Sequence, residues 1–218
     1  MPTKNQGQLT IWGRTNSVNV QKVLWCLREL DLPYQRIDAG MAFGQNDKPE
    51  YLAMNPNGKV PTLVVSEDFV IWEADAIMAY LARFAGSDLL PEGDKQIEMM
   101  RWLSWGTQHF TRHGGSLYFE FCIKPWIGLG DADPAAVKSS QEQFRLFAKI
   151  LDEHLANKKF LLGDQLTIAD FSVGVTLPYA KKAQIPLSEF SNVARWHDRL
   201  NELPAWRDPY PVPDALAA

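Results

Sequence analysis

Cysteine is scarce: the 218-residue chain holds only Cys26 and Cys122. They stand too far apart for a C-x-x-C redox pair or a metal cluster. Both lie among apolar neighbours (Trp25-Cys26-Leu27 and Phe121-Cys122-Ile123), so they read as reduced, buried thiols. An excess of positive charge is also missing. Twenty-two Lys and Arg against 26 Asp and Glu leave a net charge of −4, which argues against a nucleic-acid partner. No run of about 18 apolar residues occurs, so no membrane helix is expected. The first residues, MPTKNQGQ, are polar and lack the apolar core of a signal peptide, and a cytoplasmic location is the expectation. Internal repeats and low-complexity tracts are absent.

What is present is ordinary globular composition, 46% apolar and 22% charged, at a length that builds a sizeable core. Leu9–Gly13 reads as a short strand. Val20, Val23, Leu24, Leu27 and Leu30 recur at helical spacing over residues 17–31. Residues 34–38 alternate as a strand does, and one helical turn is expected at Pro49–Met54. Thr62–Val65 and Phe69–Trp72 flank a tight turn and form a hairpin. Glu73–Phe84 is helical in period. The order is βαβ, a loop, then ββα. Gly86–Gly93, with two glycines and a proline, reads as a domain boundary. Beyond it all patterns are helical: 94–122, with a break expected at Gly114-Gly115, then 134–157, 167–182 and 191–202.

Two local signals stand out. In "LTIADF", Thr167 and Asp170 have the spacing of a reciprocal capping box, with Leu166 and Phe171 placed to close over it as a hydrophobic staple. This signal is structural. In "NPNGKVPTLVV", Pro61 stands at the mouth of a strand, where its missing N–H interferes with pairing. Spacing alone leaves a trans edge proline and a cis turn both open. Upstream, Thr15, Asn16 and Ser17 all suit the N-cap of the first helix.

Taken together, the βαβ unit, the NPxGKVP loop, the ββα unit followed by Glu73, the linker and the LTIADF box resemble the soluble glutathione transferases over residues 9–205. The segment "SVNVQKV" is similar to the first-helix start of serine-type members, the phi and theta-like bacterial groups. The resemblance implies an α/β thioredoxin-like glutathione-binding domain over 8–86. It also implies an all-α domain over 94–212 that supplies a wall for the second substrate. It implies glutathione as co-substrate with no separate cofactor or metal, attack of its thiol on a small electrophile, and a homodimer with aromatics of 94–122 near the interface.

The resemblance also implies roles for individual residues. The Val60–Pro61 bond is expected to be cis, with the Val60 backbone pairing with the cysteinyl unit of glutathione. Ser17 is the candidate donor to the thiolate, with Thr15 and Asn16 left open as alternatives. Glu73 would accept from the γ-glutamyl ammonium. Where the family has serine next, this chain has Ala74, which leaves helix N–H groups to meet the γ-glutamyl carboxylate. Lys48 or Lys59 would pair with the glycyl carboxylate, with Tyr51 and Asn57 as secondary candidates. Trp102, Trp105 and His109 share one helical face. Phe110, Arg112 and His113 are expected to face the second substrate. The same scaffold also serves glutathione-dependent disulfide or peroxide reduction and non-catalytic binding, and Ala74 keeps the latter open.

Overall fold

Period-two and period-3.6 patterns divide the first 85 residues into four strands and three helices. The computed structural model describes residues 8–207. Strand β1 (Leu9–Trp12) leads through a short loop into α1 (Val18–Glu29), β2 (Tyr34–Ile37), a single 3-10 turn at Met41–Phe43 and α2 (Pro49–Met54). The hairpin of β3 (Thr62–Ser66) and β4 (Phe69–Trp72) then feeds α3 (Ala74–Ala85). The sheet order is β2-β1-β3-β4. β1 and β2 run parallel, while β1–β3 and β3–β4 are antiparallel, with a register shift between Val64 and Ser66. Ile11 and Leu63 are fully enclosed, as are Val20, Val23, Leu24 and Leu27 of α1 and Ile77, Met78 and Leu81 of α3. Helices α1 and α3 pack together, and buried Lys22 of α1 pairs with Asp75 of α3 at 3.5 Å.

Contacts divide the chain into two compact units between Ser87 and Asp88. The second unit is helical. One helical run extends from Asp94 to Trp126 as α4 (Asp94–Trp105), a π-helical segment Gly106–Phe110, α5 (Thr111–Tyr118), a second π segment Phe119–Ile123 and α6 (Lys124–Trp126). The break expected at Gly114-Gly115 does not occur. A Cβ on Gly114 would lie 2.4 Å from Thr176 Oγ1, so this glycine permits close packing inside a helix rather than ending it. Helix α7 (Pro134–His154) begins at an Asp133 cap that accepts from the Ala135 N–H. Helix α8 (Ile168–Gly174) is shorter than the expected 167–182, because Pro178 of the 3-10 turn Leu177–Tyr179 lacks an N–H to continue an α-helix. Helices α9 (Ser191–Asn201) and α10 (Pro204–Arg207) follow.

The LTIADF box forms, and it does more than cap α8. Asp170, fully buried, accepts from the N–H of Thr167 and of Leu161 at 2.9 Å each and from Trp196 Nε1 at 3.1 Å. One carboxylate therefore ties the start of α8 to the Phe160–Gly163 turn and to α9. Burial pushes its carboxyl up to about 6, against the opposing pull of these donors.

Candidate active site

The loop between β1 and α1 is built from backbone bonds to the end of β2. Gly13 N–H donates to the Ile37 carbonyl at 2.8 Å and Arg14 N–H to the Ala39 carbonyl at 3.2 Å. A Cβ on Gly13 would lie 2.5 Å from a Val20 methyl, so only glycine lets the loop fold back onto α1. The Thr15 carbonyl accepts from Gln21 Nε2 at 2.8 Å, and Asn16 Oδ1 accepts from the buried Arg14 guanidinium at 3.0 Å. The turn closes where the Ser17 N–H meets the Arg14 carbonyl at 3.2 Å.

Ser17 occupies the N-cap of α1 in extended conformation, yet its hydroxyl does not cap the helix. Capping is the usual use of serine at this position. Here the hydroxyl of a residue only 8% exposed makes no hydrogen bond within the described residues. It stands at the positive end of a 12-residue helix whose first turn carries no acidic side chain.

The segment after α2 borders the same place. Tyr51, buried, donates from its hydroxyl to the Lys59 carbonyl at 2.6 Å and lies 2.8 Å from the Thr62 hydroxyl. Burial raises the Tyr51 phenol above its usual range, opposed by its bonds to Thr62 and Asn55. Asn55 Nδ2 reaches the same two acceptors at 2.9 and 3.0 Å, while its Oδ1 receives the Asn57 N–H at 3.1 Å. Between these anchors lie Val60 and Pro61, joined by a cis peptide bond. The Val60 N–H and carbonyl have no hydrogen-bond partner among the described residues. Val60 is also close to the β1–α1 loop. A Cβ on Gly13 would lie 3.3 Å from Val60 Cβ.

Glu73 precedes α3 at φ 71°, ψ 116°, a conformation that non-glycine residues rarely adopt. Its exposed carboxylate does not cap α3, so the turn presents the side chain outward. Strain of this kind gathers at ligand sites. Ala74, the next residue, is 6% exposed.

Residues 7–83 match the profile described as Glutathione S-transferase, N-terminal domain, and residues 134–199 match Glutathione S-transferase, C-terminal domain. Glutathione S-transferase GstB of Escherichia coli (strain K12) is 35% identical over 209 residues, 94% of this chain and 99% of that protein. The chain belongs to the glutathione transferase family. Glutathione S-transferase 3 of Zea mays is 30% identical and covers 96% of this chain and 99% of its own length. Among solved structures, the theta class glutathione S-transferase of Xanthomonas axonopodis pv. citri with glutathione bound superposes with a TM-score of 0.79 at 35% identity, over 91% of this chain and 95% of that one.

In this transferase the candidate residues of the first unit fall into three clusters: Thr15, Asn16 and Ser17 on the β1–α1 loop, Lys59, Val60 and Pro61 on the clamped segment, and Glu73-Ala74 at α3. Asn16 is 5% exposed with its carbonyl engaged by Arg14, whereas Thr15 is half-buried. Lys48 is the exposed N-cap of α2, and Lys59 is likewise exposed.

The helical unit corrects one expectation. Phe110 is fully buried between Trp105, at 5.9 Å, and Phe144, at 4.6 Å. It is a core side chain of its own unit and offers no surface to a substrate. His113 is half-buried and stacks on Phe147 at 5.7 Å. Its imidazole is held below the usual range by burial, and further by the charges of Arg112 and His109. Arg112 is exposed.

Two positioning residues were not foreseen. Asn55 is hidden in the sequence as an ordinary Asn-Pro turn residue, and only its carbonyl and amide partners reveal the clamp. Arg14 has no local signal at all, since one arginine in a polar loop reads as solvated.

Proposed function

We propose that this transferase binds glutathione along the edge formed by Ser17, Val60 and Glu73, and activates its thiol for attack on a small electrophile. The observation that carries the reading is the idle hydroxyl of Ser17. An N-cap serine that does not cap its helix is available to donate elsewhere, and it sits where the helix dipole favours an anion. In this scheme the unpaired N–H and carbonyl of Val60 form one antiparallel rung with the cysteinyl unit. The outward Glu73 carboxylate accepts from the γ-glutamyl ammonium. Helix N–H groups at Ala74 meet the γ-glutamyl carboxylate. Lys59 or Lys48 pairs with the glycyl carboxylate.

The thiol loses its proton to solvent. The Ser17 O–H donates to the resulting thiolate and keeps it available at neutral pH. The sulfur lone pair then attacks the electrophilic carbon, forming the C–S bond as the leaving group departs or as an activated double bond takes the electron pair. Arg112 and His113 are proposed to meet the electrophile. Glutathione and the electrophile are the only reactants this chemistry requires.

A homodimer in the cytoplasm is part of the same proposal. The helical unit bears a groove of about 290 Å³ lined by Arg101, Trp102, Trp105, Ile150 and His154. The same two helices expose Ile97, Met100 and Leu146, an apolar surface that a second copy would cover. Light scattering should give about twice the 24.7 kDa chain mass; a monomer at micromolar concentration sinks this part.

The test of function is retention on immobilised glutathione followed by conjugation of chlorodinitrobenzene, and both are expected. Retention without turnover on this or other electrophiles would favour a non-catalytic binding protein. Turnover of disulfides or peroxides alone would favour the reductase reading.

A further inference from the structure

We propose that Arg14 is an electrostatic positioning residue for the glutathione thiolate, supplying positive potential to the Ser17 site while fixing the loop that carries it. The proposal rests on the glutathione site described above.

Three observations locate the guanidinium. Arg14 opens the turn that Ser17 closes, through the Ser17 N–H bond to its carbonyl. Its Nη1 donates to Asn16 Oδ1 at 3.0 Å, which holds the side chain against the loop rather than out in solvent. Finally, the position of a Cβ on Gly40 would lie 4.0 Å from Arg14 Nε and 3.5 Å from both methyls of Val60. Arg14 and Val60 thus share Gly40 as a common neighbour. Val60 is the residue whose free backbone groups are assigned to the cysteinyl unit. The guanidinium therefore borders the site from the side of Gly40, while the Ser17 hydroxyl borders it from the start of α1.

Arg14 is only 8% exposed. A charge withdrawn from water acts through a lower dielectric, so its field falls off less at a given distance than that of a surface cation. Arginine stays protonated at any relevant pH, which makes it a constant source of potential. The charged groups around it leave that potential positive. Residues 13–22 contain Arg14 and Lys22 and no acidic residue. Lys22 is engaged by Asp75, and Asp38 is taken up by Arg36, which also donates to the Gly13 carbonyl. Opposite charge near an acid favours its ionised form, and the acid here is the thiol.

A merely structural Arg14 would change melting temperature and glutathione affinity without moving the pH at which the bound thiol ionises. The experiment follows the ultraviolet thiolate absorbance of the enzyme–glutathione complex against pH in wild type, Arg14→Met, Arg14→Lys and Asn16→Asp. The expected result for Arg14→Met is an ionisation midpoint about one unit higher, with S-methylglutathione binding within roughly threefold, since that analogue carries no ionisable thiol. Arg14→Lys should recover most of the shift. Asn16→Asp is nearly isosteric, places a carboxylate against the guanidinium, and should raise the midpoint without removing the arginine. This second route keeps the question decidable if Arg14→Met does not fold. An unchanged midpoint in Arg14→Met or in Asn16→Asp, with glutathione still bound, overturns the proposal. Absence of glutathione binding in the wild type would instead overturn the site on which it rests.

Discussion

Tyr51 and Asn55 converge on the same two acceptors, the Lys59 carbonyl and the Thr62 hydroxyl, at 2.6 to 3.0 Å. The end of α2 thereby holds both flanks of the Val60–Pro61 segment. Asn55→Ala removes several buried bonds and strands their partners, so unfolding stability should fall by about 2–3 kcal/mol. Tyr51→Phe should cost about 1 kcal/mol, since Asn55 still satisfies Lys59 and Thr62. Urea titration ranks the two, and the reverse order would show that the tyrosine carries the clamp.

Ser17→Ala should leave glutathione affinity within a few fold while turnover at pH 6.5 drops about ten- to a hundred-fold, equivalent to roughly 1.4–2.7 kcal/mol. A free thiol ionises near 8.5, so the deficit should shrink as pH rises towards that value. Full activity at pH 6.5 in Ser17→Ala, with loss in Thr15→Ala or Asn16→Ala, would move the donor by position.

The backbone of Glu73, at φ 71°, stores strain of order 1–3 kcal/mol. Glu73→Gly adopts that conformation freely. Part of the gain is offset by the extra freedom of glycine in the unfolded chain, so stability should rise by up to about 1 kcal/mol. Glutathione affinity should fall about tenfold with the lost carboxylate, roughly 1.4 kcal/mol. Paired melting curves and calorimetric titrations test this opposition. A lower melting temperature would mean that the turn is not strained.

The adjacent glycines of α5 should respond with opposite sign. A Cβ on Gly114 meets Thr176 Oγ1 at 2.4 Å, whereas one on Gly115 meets nothing within 4 Å. Gly114→Ala should destabilise by about 1–3 kcal/mol through overpacking, with partial recovery in Gly114→Ala/Thr176→Ala. Gly115→Ala should stabilise by up to about 1 kcal/mol through helix propensity. Equal effects at the two positions would contradict the packing.

His197 Nε2 is buried with no hydrogen-bond partner among the described residues. Burial holds its imidazole below the usual range, with Asp198 opposing. Below about pH 6.5 the unfolded chain therefore takes up the proton more readily than the folded one, and stability falls as pH falls. His113 and His154 act in the same direction, and Asp170 in the opposite one. The difference between wild type and His197→Leu isolates one group: the variant should gain on wild type from pH 7.5 to 5.5. A pH-independent difference rules this out.

The sequence by itself determined what depends on neighbours in the chain. Alternation and helical period placed the four strands, α1, α2 and α3, because burial of one face imposes its own repeat. The Thr167–Asp170 box was legible because both partners lie within one turn. The NPxGKVP loop and Ser17 were legible through the family's pattern rather than through physics alone. Tertiary structure decided everything that requires two distant segments to meet. Phe110 looked like an available aromatic until Phe144, 34 positions away in the sequence, was found stacked on it. Gly114 looked like a helix breaker until Thr176 was found against it. Asp170 looked like a local cap until Leu161 and Trp196 were found bonded to it. The field of Arg14 likewise depends on its burial and on its approach to Gly40 and Val60. Charge, packing and hydrogen bonding are set by distance in space, and distance along the chain reports that only within a helical turn or a hairpin.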